Sequence, residues 1–336
     1  MIFRTKKKNK TMNIYAPVII PTLNRYPHFK RCLESLELCT GAEYTEVYVG
    51  LDYPPSEKYI VGWKKIDDYL KEKEKNNKFK RLMVFRRTHN CGVGVKGSNG
   101  SMLVEEMSRT YDRYIFSEDD NEFSPNFLEY MNKGLCKFKD NPNIYAICGY
   151  NYPVNMSIYE QDYYFSHEFA AWGYGCWFKK QKEVFDIIQS PDYIIQLYRR
   201  YSLRCYFKNN LKLMSLATRL GDGFLGDVYL TSYLHSRNMF TVFPKISKVR
   251  NWGHDGSGVN CGKIGNKFEE LYTKQEIDKE TEFDFSSDLT ICIDKYTNKK
   301  VQTFMKPPFK MIIRRPINWI INIIIFKLRD IFFIYN

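Results

Sequence analysis

Glu118, Asp119 and Asp120 stand in a row directly after the apolar stretch Arg113 to Ser117 (RYIFS). Like charges within several ångströms raise one another's pKa unless a cation neutralises them. A hard divalent ion meets that need. Mg2+ or Mn2+ takes one or two carboxylates and fills its shell with water and phosphate oxygens, the composition expected where a diphosphate departs. The same residues read alternatively as an acidic N-cap for the helix that follows. A second feature is Asn90 to Gly100 (NCGVGVKGSNG), where Gly92, Gly94, Gly97 and Gly100 permit a close backbone approach to a diphosphate beside Lys96. An ordinary connection with a solvated lysine has the same composition.

The elements that position these groups alternate. Ala16 to Ile20 (APVII) reads as a buried strand ended by Pro21, with a turn over Thr22 to Tyr26 and a helical pattern through Phe29, Leu33 and Leu36. Glu46 to Leu51 (EVYVGL) reads as a second strand closed by Asp52, and Tyr59 to Leu70 as a helix with a solvated lysine face. Leu82 to Phe85 is a third strand, Met102 to Met107 the start of a helix, Arg113 to Ser117 a fourth strand and Phe127 to Phe138 a helix. Strand and helix in alternation imply a parallel, doubly wound sheet whose ligands bind beyond the carboxyl ends of the strands. Past Gly149 the pattern turns aromatic, with His167 to Trp177 (HEFAAWGYGCW), a helical region through Arg200 and a turn at Gly221 to Asp227. Phe240 to Val249 reads as one more strand, ending in a flap at Asn251 to Gly258 (NWGHDGSG).

The chain has 336 residues, 44% of them hydrophobic, enough for one large α/β domain or two modest ones and too many for wholesale disorder. The formal charge is +13, but Arg4, Lys6, Lys7, Lys8 and Lys10 crowd the first ten residues, and residues 300–336 hold seven Lys or Arg against Asp330 alone. Residues 11–299 therefore keep only +2. A nearly neutral body without a basic-aromatic stripe argues against a nucleic-acid binder. Nine cysteines contain no CxxC pair, and MIFRTKKKNK lacks the apolar stretch of a secretory signal, so reduced thiols in a cytosol are expected.

PVIIPTLNRYPHFKRCLESL, Asp52 after the second strand, NCGVGVKGSNG and YIFSEDDNEFSPNFLEYM, in this order and spacing, resemble the opening half of the nucleotide-sugar-dependent glycosyltransferases of the GT-A fold, family 2 in particular. The EDD with its Pro-Asn-Phe helix is similar to the eukaryotic N-acetylglucosaminyltransferase that starts hybrid N-glycans. The resemblance covers residues 14–132 and, more loosely, 168–255. It implies a Rossmann-like α/β domain with a mixed, mostly parallel sheet flanked by helices. It places Thr22 and Arg25 by the nucleotide and diphosphate, Asp52 on the uracil, Lys96 toward the phosphates, Asp119 on the ribose or sugar and Asp120 on the metal.

Transfer with inversion needs a carboxylate to accept the acceptor hydroxyl's proton. In the related enzymes it lies in an acidic, aromatic segment at a helix start, a placement matched here by Asp227 in GFLGDV. Asp222 is its rival, and a helix cap is the structural alternative. His254, flanked by glycine and an acid, lies where relatives place a metal or diphosphate ligand, and a surface loop histidine is the alternative. Trp172 resembles the tryptophan that floors the acceptor site, with a core role as the alternative, and Glu168 is a candidate for acceptor hydroxyls.

Ile317 to Ile334 is apolar but broken by Lys327, Arg329 and Asp330, too short a clean run to span a bilayer. Its basic residues, Trp319 and the preceding Lys306, Lys310 and Arg314 suit a helix lying in an anionic membrane surface, or docked on the body or a second copy. The expectation is a catalytic domain over 11–258, with a nucleotide-binding half (11–132) and an acceptor half (133–258), then a lid or spacer over 259–304. A basic amphipathic tail over 305–336 completes it. The expected reaction is metal-dependent transfer from a UDP-sugar to a glycan hydroxyl, peripheral at the inner face of a bacterial membrane, in surface polysaccharide or glycolipid synthesis. The alternatives are a sugar nucleotidyltransferase and an inactive scaffold of the same fold.

Overall fold

The computed structural model describes residues 15–94, 96–190, 193, 226–258 and 267–305, with positions 310, 313, 317, 320, 321 and 324. Strand β1 (Val18–Thr22) leads to helix α1 (Tyr26–Glu37), β2 (Glu46–Leu51) to α2 (Glu57–Lys75), and β3 (Arg81–Arg86) to α3 (Asn99–Met107). Strand β4 (Arg113–Phe116) is followed by the short β5 (Asn121–Phe123) and then α4 (Phe127–Lys137). Next come β6 (Ile144–Cys148), β7 (Tyr163–Ser166), β8 (Tyr174–Trp177) and α5 (Phe178–Ile188). Then follow α6 (Gly226–Arg237), β9 (Phe240–Pro244), β10 (Val249–Asn251), α7 (Lys267–Thr273) and α8 (Lys295–Phe304).

The main sheet has the order β3-β2-β1-β4-β8-β6-β9-β7. β3, β2, β1 and β4 pair in parallel, β8 enters antiparallel, β6 and β9 resume the first direction, and β7 closes antiparallel. The sheet is therefore mixed and mostly parallel, as expected. Strands covered on both faces need apolar side chains at successive positions rather than alternating ones. β1 and β6 show this, with Val18, Ile19, Ile20 and Ile144 to Cys148 all buried. Helix α1 opens with Pro27, which its fixed φ suits, and turns Phe29, Cys32, Leu33 and Leu36 inward. α2 buries only Ile66, Asp67, Tyr69 and Leu70, leaving most of its lysines in water while Lys73 pairs with the buried Glu37 at 2.6 Å.

The chain crosses from β1 to β2 on one side and returns to β4 on the other. Thr22 and Ser117 thus sit at the point where the strand order reverses, the crevice in which α/β sheets bind ligands. The stretch expected as one strand over Phe240 to Val249 is two. Pro244, without an N–H for the ladder, ends β9, and Val249–Asn251 pairs antiparallel with Asn121–Phe123 in a separate ribbon. The glycine-rich residues that follow are pinned rather than flap-like as far as residue 258. Trp252 Nε1 donates to Glu122 at 2.7 Å, and His28 Nε2 lies 3.0 Å from Asp255 across a 3-10 turn at Gly253–Asp255.

Residues 275–305 run back over the body. Phe283 and Phe285 are buried against Tyr130 of α4, Lys133 and Lys137 donate to the carbonyls of Phe283 and Phe285, and Ile293 bridges to Phe165 of β7. The ion pair of Lys248 with Asp278 fastens this segment to the residue before β10. Lys248 is 1% exposed and stands 4.5 Å above the Phe283 ring. All seven described cysteines are free thiols. Asp222 and the end of the predicted helix through Arg200 lie outside the described residues, as does the tail apart from its six positions.

Candidate active site

Four strand ends converge. Asp52 N–H donates to the Thr22 carbonyl at 2.9 Å and Ser117 N–H to Ile19 at 3.0 Å, locking the ends of β2 and β4 to β1. Ser117 is fully buried and accepts from Asn121 Nδ2 at 2.9 Å, which fixes the turn that presents the three acids. β5 separates those acids from α4, whose N-cap residue is Asn126, so the N-cap alternative is excluded.

Each oxygen of Asp119 and Asp120 has a partner from the chain. Thr22 Oγ1 donates to Asp119 Oδ2 at 2.8 Å, and the Arg25 guanidinium pairs with Asp119 Oδ1. Arg25 Nη1 lies 2.8 Å from Asp120 Oδ2, and Asn251 Nδ2 donates to Asp120 Oδ1 at 2.7 Å. Two carboxylates thus share one guanidinium, with Glu118 adjoining them in the chain. Burial, then the charges of Asp120 and Asp119, push Glu118 up to about 8 against the pull of Arg25. Burial also raises Asp119, with Arg25 opposing and Asp120 reinforcing. Burial works against the charge on Arg25, but the two aspartates hold its proton more firmly than usual.

Asp52 is 4% exposed, and its carboxylate accepts from the N–H groups of Tyr53 (2.9 Å), Cys91 (2.9 Å) and Gly92 (3.1 Å) and from Asn90 Nδ2 (3.2 Å). It organises the glycine loop. Gly92 and Gly94 take φ of 68° and 76°, the left-handed region open to glycine, and a Cβ on either would meet open space. Lys96 is exposed on the same loop.

Asp227 lies in the first turn of α6 and is exposed. Its charge reaches Glu118, behind burial and the neighbouring aspartates, and also Tyr152, behind burial and Glu168. Its charge is thus felt at both Glu118 and Tyr152. Glu168 is buried elsewhere, at the end of β7 beneath α8, where Gln302 Nε2 donates to its Oε1 at 3.3 Å.

His254 belongs to an aromatic group that the sequence did not reveal as one. Its ring stacks on Tyr272 at 4.1 Å between centroids and meets Trp172 edge-on at 5.3 Å, while Trp172 meets Tyr150 at 4.6 Å. A cleft of about 570 Å³ opens between the 151–157 loop and α7, with Tyr152, Lys245 and Gln275 on its walls. Among the described residues, no three His, Cys, Asp or Glu side chains converge as a ready-made metal cage. Sequence reasoning missed Asn251 and Tyr272. The first sits inside NWGHDGSG without a charge to mark it, and the second has no local signal.

No protein-family model matches the chain, and no curated protein matches it in sequence. Among solved structures it is similar to mouse xyloside xylosyltransferase 1, at 12% identity and a TM-score of 0.39, over 67% of this chain and 83% of that one. S. aureus TarS 1-349 in complex with UDP gives 14% identity and 0.35 over 66% and 71% of the two chains. A mannosyltransferase from Pyrobaculum calidifontis, in complex with GDP-Man and Mn2+, gives 12% and 0.30 over 67% and 70%. Against a further structure of TarS 1-349 the match spans 53% of that chain. Likeness at these scores carries no weight beside the geometry of the acidic turn.

Proposed function

We propose that this chain is a metal-dependent glycosyltransferase that moves a sugar from a nucleoside diphosphate, a UDP-sugar, to a glycan hydroxyl with inversion. One observation carries the reading. At the strand-order reversal, the buried carboxylates of Asp119 and Asp120, with the half-buried Glu118 next to them in sequence, are hard oxygen donors that a single guanidinium leaves undercharged. Two aspartates against Arg25 leave a local excess of negative charge, and the upward push on Glu118 beside them reports the same demand for a further cation. Mg2+ or Mn2+ fits that donor set, with Asp120 as its residue and phosphate oxygens completing the shell. When bound, the ion supplies positive charge to the departing diphosphate.

The remaining work falls to the chain itself. Thr22 and Arg25 line the diphosphate position, with Arg25 exchanging part of its aspartate pairing for phosphate. The Asp52-anchored loop brings its backbone and Lys96 toward the nucleotide, with Asp52 at the uracil edge, and Asp119 meets the ribose or sugar. Asp227 accepts the acceptor hydroxyl's proton as that oxygen attacks the anomeric carbon and the bond to the diphosphate breaks. Trp172 offers its face to the acceptor sugar, with His254 beside it and Glu168 behind. A sugar nucleotidyltransferase would carry its glycine-rich basic loop directly after the first strand, whereas here that loop follows β3. Thermal stability of the purified protein with UDP, GDP, CMP or ATP, each with and without Mn2+, tests the reading. Metal-dependent stabilisation by UDP is the expected result, and no shift with any nucleotide contradicts it.

The tail supports membrane association as part of this reading. Ile313, Ile317, Ile320, Ile321 and Ile324 recur at helical spacing and are 43–52% exposed, and Lys310 beside them is exposed. Such a stripe, with Lys306, Arg314, Arg315, Lys327 and Arg329 interspersed in the sequence, suits an anionic lipid surface, and supports the reading of an enzyme at the cytoplasmic face of a bacterial membrane acting on a lipid-linked glycan. No helix among the described residues is long and apolar enough to cross a membrane. Deleting residues 305–336 should abolish flotation with anionic liposomes, and unchanged flotation counts against the assignment.

A further inference from the structure

We infer that Asn251 is the positioning residue of the acidic site: its amide fixes the rotation of the Asp120 carboxylate and so sets which oxygen is presented to cations. The inference rests on the glycosyltransferase reading and names a residue of that site. Asn251 is 1% exposed at the end of β10, opposite Asn121 in the ribbon. Its Nδ2 donates to Asp120 Oδ1 at 2.7 Å and to Asn121 Oδ1 at 3.0 Å, and its Oδ1 accepts from Gly253 N–H at 2.9 Å. These partners define its orientation, since only the NH2 side satisfies two acceptors and only the oxygen satisfies the N–H.

The terminal torsion of an aspartate is soft and roughly two-fold, so a carboxylate beside two others turns away unless it is held. Asp120 is held on both sides. Asn251 occupies Oδ1, while the Gly253 backbone closes on Oδ2 so tightly that a Cβ there would run into the carboxylate. Trp252 N–H also donates to the Asp120 carbonyl at 2.8 Å. Oδ2 is left facing Arg25, on the cation side.

The ribbon that delivers Asn251 is itself anchored. Lys248 N–H donates to the Gly149 carbonyl at 2.8 Å, Ser124 N–H to the Lys248 carbonyl at 2.9 Å, and the Lys248 ammonium pairs with Asp278. Asp278 also accepts from Asn126 Nδ2 at 3.1 Å. The position of one buried amide thus depends on a segment more than 20 residues further along the chain, through contacts that do not touch the crevice.

The test measures binding of UDP with Mn2+ by calorimetry, and initial rates, for the full chain and for Asn251→Ala, Asn251→Asp and Gly253→Ala. Asn251→Asp keeps the shape and replaces the donor with a carboxylate. Gly253→Ala keeps the amide and displaces Asp120 sterically. Removing the partner that orients a ligating group weakens metal binding by about 10- to 100-fold, and each variant should show at least the lower figure with KM for the acceptor unchanged. A merely structural Asn251 would lower the melting temperature and leave the affinity of the folded protein within about twofold of wild type, a result that overturns the inference. If Asn251→Ala does not fold, the isosteric Asp variant and Gly253→Ala decide by the same criterion. A wild-type chain that binds no UDP with Mn2+ overturns the glycosyltransferase reading and this inference together, whereas wild-type binding with equal binding by the variants overturns this inference alone.

Discussion

At the carboxyl ends of β1 and β4 the chain gathers Arg25, Glu118, Asp119 and Asp120, whereas beyond β6 it gathers Tyr150, Trp172, His254 and Tyr272. The first region is charged and tied by ion pairs, and every carboxylate oxygen of its two aspartates has a partner. The second is built from rings in edge-on and stacked contact. The two sets of forces suit different chemistry. Buried like charges persist only where a cation offsets them, and the one Arg25 leaves a deficit that a divalent cation would fill. Aromatic faces tolerate water on one side and stack on the apolar face of a sugar ring. On the proposed function, the first region would take the leaving group and the second the acceptor.

The comparison breaks most sharply at Asp227, in the first turn of α6. Asp227→Asn should cut the transfer rate by about 10²- to 10⁴-fold, the usual contribution of a general base, with UDP binding unchanged. A variant that keeps its rate in a coupled UDP-release assay would move the base to Asp222 or elsewhere. Arg25→Ala attacks the charged edge alone. It leaves buried oxygens of Asp119 and Asp120 without their cation, so urea denaturation at neutral pH should show a loss of about 3 kcal/mol. That loss should shrink as the pH falls, because protonating the aspartates removes the uncompensated charge, and added Mn2+ should restore part of it. Trp172→Ala attacks the aromatic edge and has the smallest effect. Loss of one stacking face costs about 0.5–1.5 kcal/mol, seen as a rise in acceptor KM of up to about tenfold with no change in UDP affinity.

The charged edge was the more legible in sequence. β1, β2 and β4 cover their buried faces with unbroken apolar runs, so three acids after RYIFS announce a strand end, and the expected boundaries differ from the observed ones by a residue or two. The glycines of 92–100 likewise mark a loop wherever they occur. The aromatic edge was not legible, because Trp172, His254 and Tyr272 meet only after the chain has folded across 100 residues, and each alone resembles a core or surface residue. Asn251 was hidden for a related reason. Its role depends on the register of β10 against β5, and the break at Pro244 that frees β10 from the main sheet looked like the interior of one longer strand. Nothing local in the sequence marks Lys248 as buried or pairs it with Asp278.

The central claim is that the acidic turn binds a nucleoside diphosphate through a divalent cation. Thermal unfolding with UDP, with and without Mn2+, on wild type and Asp120→Ala, tests it most directly. At a hundred times its dissociation constant, UDP should stabilise wild type by about 2.7 kcal/mol only when Mn2+ is present, and the variant should lose that gain. Stabilisation that is indifferent to metal, or that survives in Asp120→Ala, would contradict the account.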